Sequence, residues 1–387
     1  MNKNLLILTL SQIFSFTAAP VTVFLSGIIG SQISPLKSLS TLPMSISVVG
    51  IAIGAIIATK VMSLIGRKTG FIAASIGNCL ISILAAYSIM NQNFILFCFA
   101  NFFLGVGMAF THQYRFAAAE SVEKDKVPKA ISIILLGGIV SAFIGPGMAS
   151  YAKDIVSEHL YVGSYLSLAF LTFIPTIFFL FYENTSKLEV NIKYSGRGYF
   201  ELISQPRFLQ AIVAAAFGYA MMTFLMTATP LSMHVMEKMS LSKTGIVIQL
   251  HVAAMFLPSL VTGHLIKKYG HSNIMYAGVF LYSVTIMASL FDQTFFNYLF
   301  ALIFLGFGWN FLFISGTSLL ALTYKEEEKF KAQGLNDFIV FTVHAIGSLS
   351  AGILIVLTSW KIMNLICIPL MILIILTTLR AERLSKK

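Results

Sequence analysis

The chain has 387 residues, of which 57% are hydrophobic and only 11% charged. A water-soluble domain carries about 25% charged residues, so this composition excludes a water-facing globule, and it excludes disorder as well. Cys79, Cys98 and Cys367 all lie inside apolar runs, which excludes a disulfide scaffold and leaves no metal or redox motif.

In chain order, charge-free stretches run Asn4–Leu36, Ser38–Thr59, Thr69–Tyr114, Ala130–Ala152, Leu160–Tyr182, Phe208–Met236, Thr244–Ile266, Ser272–Phe291, Gln293–Tyr324, Phe338–Trp360 and Ile362–Leu379. A membrane-crossing helix needs roughly 20 residues, so Thr69–Tyr114 must hold two helices that turn at Asn91-Gln92-Asn93. Twelve spans follow. The apolar start after Lys3 has some features of a signal peptide, but its removal would leave eleven spans, so it is read as the first helix. An even count puts both termini on one face. With that face cytoplasmic, 20 Lys and Arg lie inside, five lie outside (Lys37, Lys153, Lys238, Lys243 and Lys361), and Arg115 sits near the inner end of helix four. This bias orients the chain with both ends in the cytoplasm. It also accounts for the net charge of +11 without a nucleic-acid partner.

The longest polar interruption, Glu183–Arg207, reads as a cytoplasmic linker with a surface helix near Tyr199–Ser204. The expected organisation is a six-helix bundle over 1–182, the linker over 183–207 and a second bundle over 208–387. The short cytoplasmic turns repeat. Thr59–Lys68, ending Gly66-Arg67-Lys68, aligns with Gly263–Ser272, ending Gly270-His271-Ser272, at a shift of 204 residues. Lys126-Val-Pro-Lys-Ala130 and Lys329-Phe-Lys-Ala332 align at nearly the same shift. Together they indicate a parallel duplication.

With these turns the chain resembles the major facilitator superfamily over essentially its whole length. The family's G-x-L-x-D-R-x-G-R-R turn is matched by Gly263, Leu265, Lys268 and Gly270 in the second half, but only by Gly66, Arg67 and Lys68 in the first. The acidic residue, which in the family is thought to latch the inward gate, is replaced by Ser63 and Lys267, so the resemblance implies a different latch here or none. A family element associated with antiporters is partly present in helix five, running from Gly138 to Gly145-Pro146-Gly147. Asn101 stands where helix four usually has Arg. Gln113–Glu120, Gly308–Phe313 and Gln333–Phe338 are similar to a bacterial subgroup, some of whose members are described as riboflavin transporters. The resemblance implies an all-α membrane protein in a bacterial inner membrane, with two pseudo-symmetric six-helix bundles and alternating access to a site between them.

Few residues are candidates for chemistry. No phosphate-binding G-x-x-x-x-G-K-[ST] loop and no hydrolase or zinc signature occurs, so the sequence predicts a secondary transporter and no enzyme, cofactor or metal. Ionisable groups at membrane depth are costly. Asp337 starts helix eleven, His344 lies two turns further on the same face, and Arg115 ends helix four. Pairing of Arg115 with Asp337 would make an interdomain gate. Otherwise Asp337 pairs within its own half, and Arg115 meets Glu120 or Glu123. His251 and His344 are candidates for proton coupling, or are hydrogen-bonded packing residues. Gln12, Tyr219, Trp309 and Asn310 are candidate cavity residues, with Trp309 offered as a stacking platform, set against ordinary interhelix hydrogen bonding. Pro20, Pro146, Pro175, Pro230 and Pro258 mark kinks, and Gly50 with Gly54 permits close helix contact. The expected cargo is a small organic solute carried by a monomer in lipid, with protons as the coupling ion. Efflux of amphipathic compounds and uptake of a planar nutrient stay open, and a non-transporting receptor has no extramembrane domain to support it.

Overall fold

The computed structural model describes residues 2–123, 127–184, 196–325 and 328–385. Residues 185–195 of the expected linker, Lys124, Lys126, Lys386 and Lys387, and the side chains of Ser63 and Lys129 lie outside the described residues.

Among the described residues there are twelve helices long and apolar enough to cross a membrane, and no strand. They are numbered here as spans 1 to 12: Lys3–Ile33, Lys37–Met62, Leu64–Met90, Phe94–Ala118, Ile133–Ala152, Val162–Leu180, Pro206–Met236, Leu241–Tyr269, His271–Ser289, Phe295–Leu320, Gly334–Leu357 and Trp360–Leu384. Helices satisfy every backbone hydrogen bond internally, which lipid requires. A short helix over Tyr199–Ser204 precedes span 7. The face that carries the two termini is called the terminal face below.

The two sets of six spans pack alike. Span 1 lies on spans 5 and 6 as span 7 lies on 11 and 12, and span 9 lies on 10 and 12 as span 3 lies on 4 and 6. Between the sets, span 2 meets span 11 and span 5 meets span 8, two contacts that the duplication exchanges, while span 1 meets span 7. The repeat extends to backbone angles. Gly66 has φ 79° and ψ 163°, and Gly270, 204 positions later, has φ 84° and ψ 158°. Only glycine reaches that region without strain, so both tight turns on the terminal face end on it.

Spans 1 and 7 are the most enclosed, with 83% and 78% of their apolar windows buried, against 39% for span 3 and 33% for span 12. The first pair therefore faces the centre, and the second faces outward with large apolar side chains such as Leu80 and Leu376 exposed. Lipid is as apolar as these side chains, so helix association rests on close packing and polar contacts. Spans 2 and 4 show how close. A Cβ on Gly105 would stand 1.9 Å from the Ser47 carbonyl oxygen, and one on Gly50 would stand 2.1 Å from that of Phe102. Gly105→Ala is therefore expected to lower stability by about 1–3 kcal/mol through forced separation of the two backbones, read as a drop in melting temperature in detergent. An unchanged melting temperature would show that the spans do not approach this closely.

Among the described residues the linker meets the second half at Arg197. Arg197 donates to Glu328 through Nε (2.8 Å), Nη2 (2.6 Å) and its backbone N–H (2.9 Å), and the Lys325 N–H adds a fourth donor at 3.0 Å. The Arg197 bonds, then the Lys325 amide, hold the Glu328 carboxyl well below the usual carboxylate range. The residues after this clamp lead directly into span 11.

Candidate functional site

A cavity lies between the two halves at mid-depth, lined from spans 1, 2, 4, 7, 8 and 11. Two of its walls are built by proline. Pro20 offers no N–H, and its ring clashes with the carbonyl of residue i−4. Span 1 accordingly breaks at Phe16–Thr17, between helical segments Lys3–Ser15 and Ala18–Ile33. Ser141 of span 5 donates to the Ile13 carbonyl near that break at 2.7 Å. Gly145 passes over the break, where a Cβ would come within 3.1 Å of the Thr17 oxygen, and Pro146 continues the same helix. Gly138 plays another part, since a Cβ there would meet the Phe256 ring of the other half at 2.9 Å.

Span 8 breaks in the same way at Leu257–Pro258, between Leu241–Phe256 and Ser259–Tyr269. Asn310 of span 10 closes this break. Its Nδ2 donates to the Met255 carbonyl at 2.6 Å and to Ser259 Oγ at 2.7 Å, while its Oδ1 accepts from Thr262 Oγ1 at 2.7 Å. Asn310 is fully buried and does not line the cavity, so the expectation of a solute contact gives way to interhelix bonding at this residue.

Trp309 also stands behind the wall. Phe313 stacks on one face of the indole at 4.9 Å and 11°, and Tyr219 and Phe256 meet it edge-on at 5.3 and 5.9 Å. The free face needed by a stacking platform is therefore occupied, and the residues that reach the cavity are Tyr219 and Phe256. Gln12 packs its stem against Gly137 and is likewise not in the lining. His251 is fully buried between spans 8 and 10, with Nδ1 2.6 Å from the Leu302 carbonyl oxygen. It lies outside the lining. His344 does line the cavity and lies 4.3 Å, centroid to centroid, from Tyr219.

Arg115 and Asp337 meet across the halves toward the terminal face, with Arg115 Nη2 3.4 Å from Asp337 Oδ2 and Asn336 Nδ2 3.0 Å from Asp337 Oδ1. Glu120, the alternative partner considered for Arg115, is taken by Arg67 Nε and Nη2 at 2.8 and 2.5 Å. On the opposite side of the cavity, Ser45 Oγ of the first half donates to the Ser348 carbonyl of the second at 2.7 Å, and the Ser45 and Ser348 hydroxyls lie 3.1 Å apart. Contacts between the halves thus flank the cavity on both sides. Its volume, about 70 Å³, is room for a handful of waters, at roughly 10–15 Å³ each on the same measure. A drug-sized solute fits only after the halves move apart.

Several lining residues were not picked out by sequence. His112 of span 4 stands one turn from Arg115, with Phe16 and Phe341 at 6.3 and 5.6 Å, so that each half presents an imidazole to the cavity above its charged residue. Its spacing of three from Arg115 was the available signal. Met44, Met108, Met222, Met226 and Met255 also line the space, and nothing in their local sequence distinguishes them from packing residues.

The Major Facilitator Superfamily model matches residues 5–287 and matches again over 213–387. The chain belongs to the Major Facilitator Superfamily. It is 33% identical over 375 residues to the riboflavin transporter RfnT of Brucella anthropi, covering 96% of this chain and 94% of that protein. The MFS-type transporter YddS of Bacillus subtilis is 26% identical over 385 residues, covering 94% and 87%. The human organic anion transporter MFSD10 has the same fold, with a TM-score of 0.73 at 12% identity over 97% of this chain and 99% of that one. The protein is a multi-pass MFS transporter of a small-molecule solute.

Within that family the missing turn acid has local consequences. Arg67 is held by Glu120 of its own half, and Lys68 donates through Nζ to the Leu180 carbonyl at 2.7 Å and through its N–H to Asn184 Oδ1 at 3.0 Å. In the second half Gly263 faces open space. The MFS turn here is thus tied within the first half, and the ion pair between Arg115 and Asp337 joins the two halves on the same side.

Proposed function

We propose that this protein is a secondary transporter that takes up a neutral, planar organic solute of the riboflavin class by alternating access. Residues 1–182 and 208–387 rock against each other, and 183–207 joins them on the cytoplasmic side of a bacterial inner membrane. The observation that carries the reading is the cavity between the halves, walled by Phe16, Tyr219, Phe256 and five methionines and free of Lys, Arg, Asp and Glu. Flat aromatic rings pack favourably on such side chains. The similarity to a riboflavin transporter over nearly the full length supports the same class. The sequence assigns 20 Lys and Arg to the segments on the same side as the termini against five on the other, which supports cytoplasmic termini.

Arg115–Asp337 serves in this reading as the cytoplasmic gate, broken when the site opens inward. Protons are the coupling ion, with His344 in the cavity wall as the proton-responsive group, and His251 acts in packing. Purified protein in liposomes is expected to accumulate radiolabelled riboflavin under an inward proton gradient, at least tenfold over empty liposomes, and to lose this with a protonophore. Absence of riboflavin uptake, with expulsion of lipophilic cations instead, would replace uptake by efflux. Uptake insensitive to the gradient would remove the proton coupling.

A further inference from the structure

The cavity wall contains two buried polar groups with no hydrogen-bond partner. Thr22 of span 1 is 1% exposed and His344 of span 11 is 4% exposed, and neither Thr22 Oγ1 nor His344 Nδ1 is bonded. Trp309 Nε1 and Gln12 Oε1 are also unbonded, but both residues lie behind the lining, which leaves Thr22 and His344 as the unbonded groups of the wall itself. Thr227 is engaged with Ser348, and Asn310 with three groups of span 8. A buried hydroxyl or imidazole nitrogen without a protein partner is costly unless water or a solute in the cavity supplies one. The two orphans come from opposite halves. A solute that satisfied both would contact both halves at once, in a space widened from the closed cavity seen here.

Charge narrows the solute further. No carboxylate lines the cavity, and the nearby Asp337 faces Arg115 and Asn336. A permanent cation entering this space would shed water and find no counter-charge. A neutral heteroaromatic ring with hydrogen-bonding groups on its edge would lie against Tyr219, Phe16 and Phe256 and offer partners to both orphans.

We propose, building on the flavin-class reading above, that Thr22 and His344 are the specificity-determining contacts for the polar edge of a neutral heteroaromatic solute, and that this site rejects permanent cations. Thr22 Oγ1 donates to or accepts from one edge atom, and His344 Nδ1 takes another. The two residues act as a clamp across the halves.

The test is equilibrium binding of riboflavin to the full-length protein in detergent, followed by quenching of flavin fluorescence, with ethidium as the planar cationic probe. Thr22→Val preserves shape and removes the hydroxyl, while Thr22→Ser keeps it. His344→Phe preserves an aromatic ring, while His344→Asn keeps a polar atom near the Nδ1 position. Wild type is expected to bind riboflavin and not ethidium. Thr22→Val and His344→Phe are each expected to weaken riboflavin about five- to hundredfold, and the Ser and Asn variants to recover most of it. Gel filtration identifies any variant that fails to fold, and the Ser and Asn variants then carry the comparison through ethidium exclusion. If wild type binds riboflavin and all four variants bind equally well, the clamp is wrong while the flavin reading stands. If wild type binds ethidium as tightly as riboflavin, cation rejection is wrong. If wild type binds no riboflavin, the flavin reading fails and the clamp fails with it.

Discussion

Asn310→Leu is expected to cost roughly 2–5 kcal/mol of stability. Three hydrogen bonds disappear together: those to the Met255 carbonyl, Ser259 and Thr262. Interhelix bonds in membranes average about 0.6 kcal/mol and reach about 1.7. The higher total follows because the Met255 carbonyl and the Ser259 hydroxyl are left in a place closed to water, where each orphan costs about 1–3 kcal/mol, while Thr262 keeps its bond to the Pro258 carbonyl at 2.8 Å. The Pro258 break makes the site sensitive, since the carbonyls it frees have no donor of their own helix. A melting curve in detergent measures the effect. Riboflavin affinity of the fraction that remains folded should change little, because the amide does not reach the cavity. A variant that melts like wild type but loses binding would return Asn310 to the solute site.

That residue illustrates how far the sequence could be read. The spans were legible because membrane helices need about 20 apolar residues and because charges between them are expensive to bury. The duplication was legible at its turns, where a positive φ demands glycine at both 66 and 270. What a polar residue inside a span does is a different kind of question. Asn310 beside Trp309 looks the same in sequence whether its amide serves a solute or a freed carbonyl, and the answer depends on a break in another span more than 50 positions earlier. Trp309 was decided by Phe313, four residues on and on the same helix face, a spacing visible in the sequence but easily overlooked. Pro20 was readable as a kink, yet its effect falls at Phe16–Thr17, which turns Phe16 into the cavity wall. His112 needed only its distance of one turn from Arg115. The five methionines had no signal at all, since flexible thioethers fill core gaps as readily as they line a site.

The two broken spans belong to different halves and are stapled by different neighbours, Ser141 for span 1 and Asn310 for span 8. Each break lies beside a ring that lines the cavity, Phe16 in one half and Phe256 in the other, and these rings meet edge-on at 5.5 Å. Phe256 also seats on Gly138, so a rotation that separates the halves must withdraw that ring from span 5. The helix-five glycine that resembled an antiporter element therefore has a packing role here that is independent of transport direction.

Reversal of one charge in the Arg115–Asp337 pair is expected to lower riboflavin uptake about 30- to 150-fold, and reversal of both to recover at least a tenth of wild-type uptake. The two side chains are 18% and 20% exposed, so each is largely withdrawn from water and lies 3.4 Å from its partner. Placing like charges there costs roughly 2–3 kcal/mol, within the range found when one member of a close charge pair is removed, and that energy corresponds to the stated fold-change. The cost falls on the state in which the halves touch on the terminal face, so Arg115→Asp or Asp337→Arg alone should hold that side open. Labelling of Phe16→Cys from that side, in a protein lacking Cys79, Cys98 and Cys367, should then quicken in the single reversals and return toward wild type in the double. Restoration of uptake without restoration of the labelling rate would mean that the pair acts on the solute and not on the gate. If the double reversal restores neither, the contact between these two residues does not govern access, and closure on this side must come from the rings of Phe16 and Phe256, which sit nearer the cavity and carry no charge.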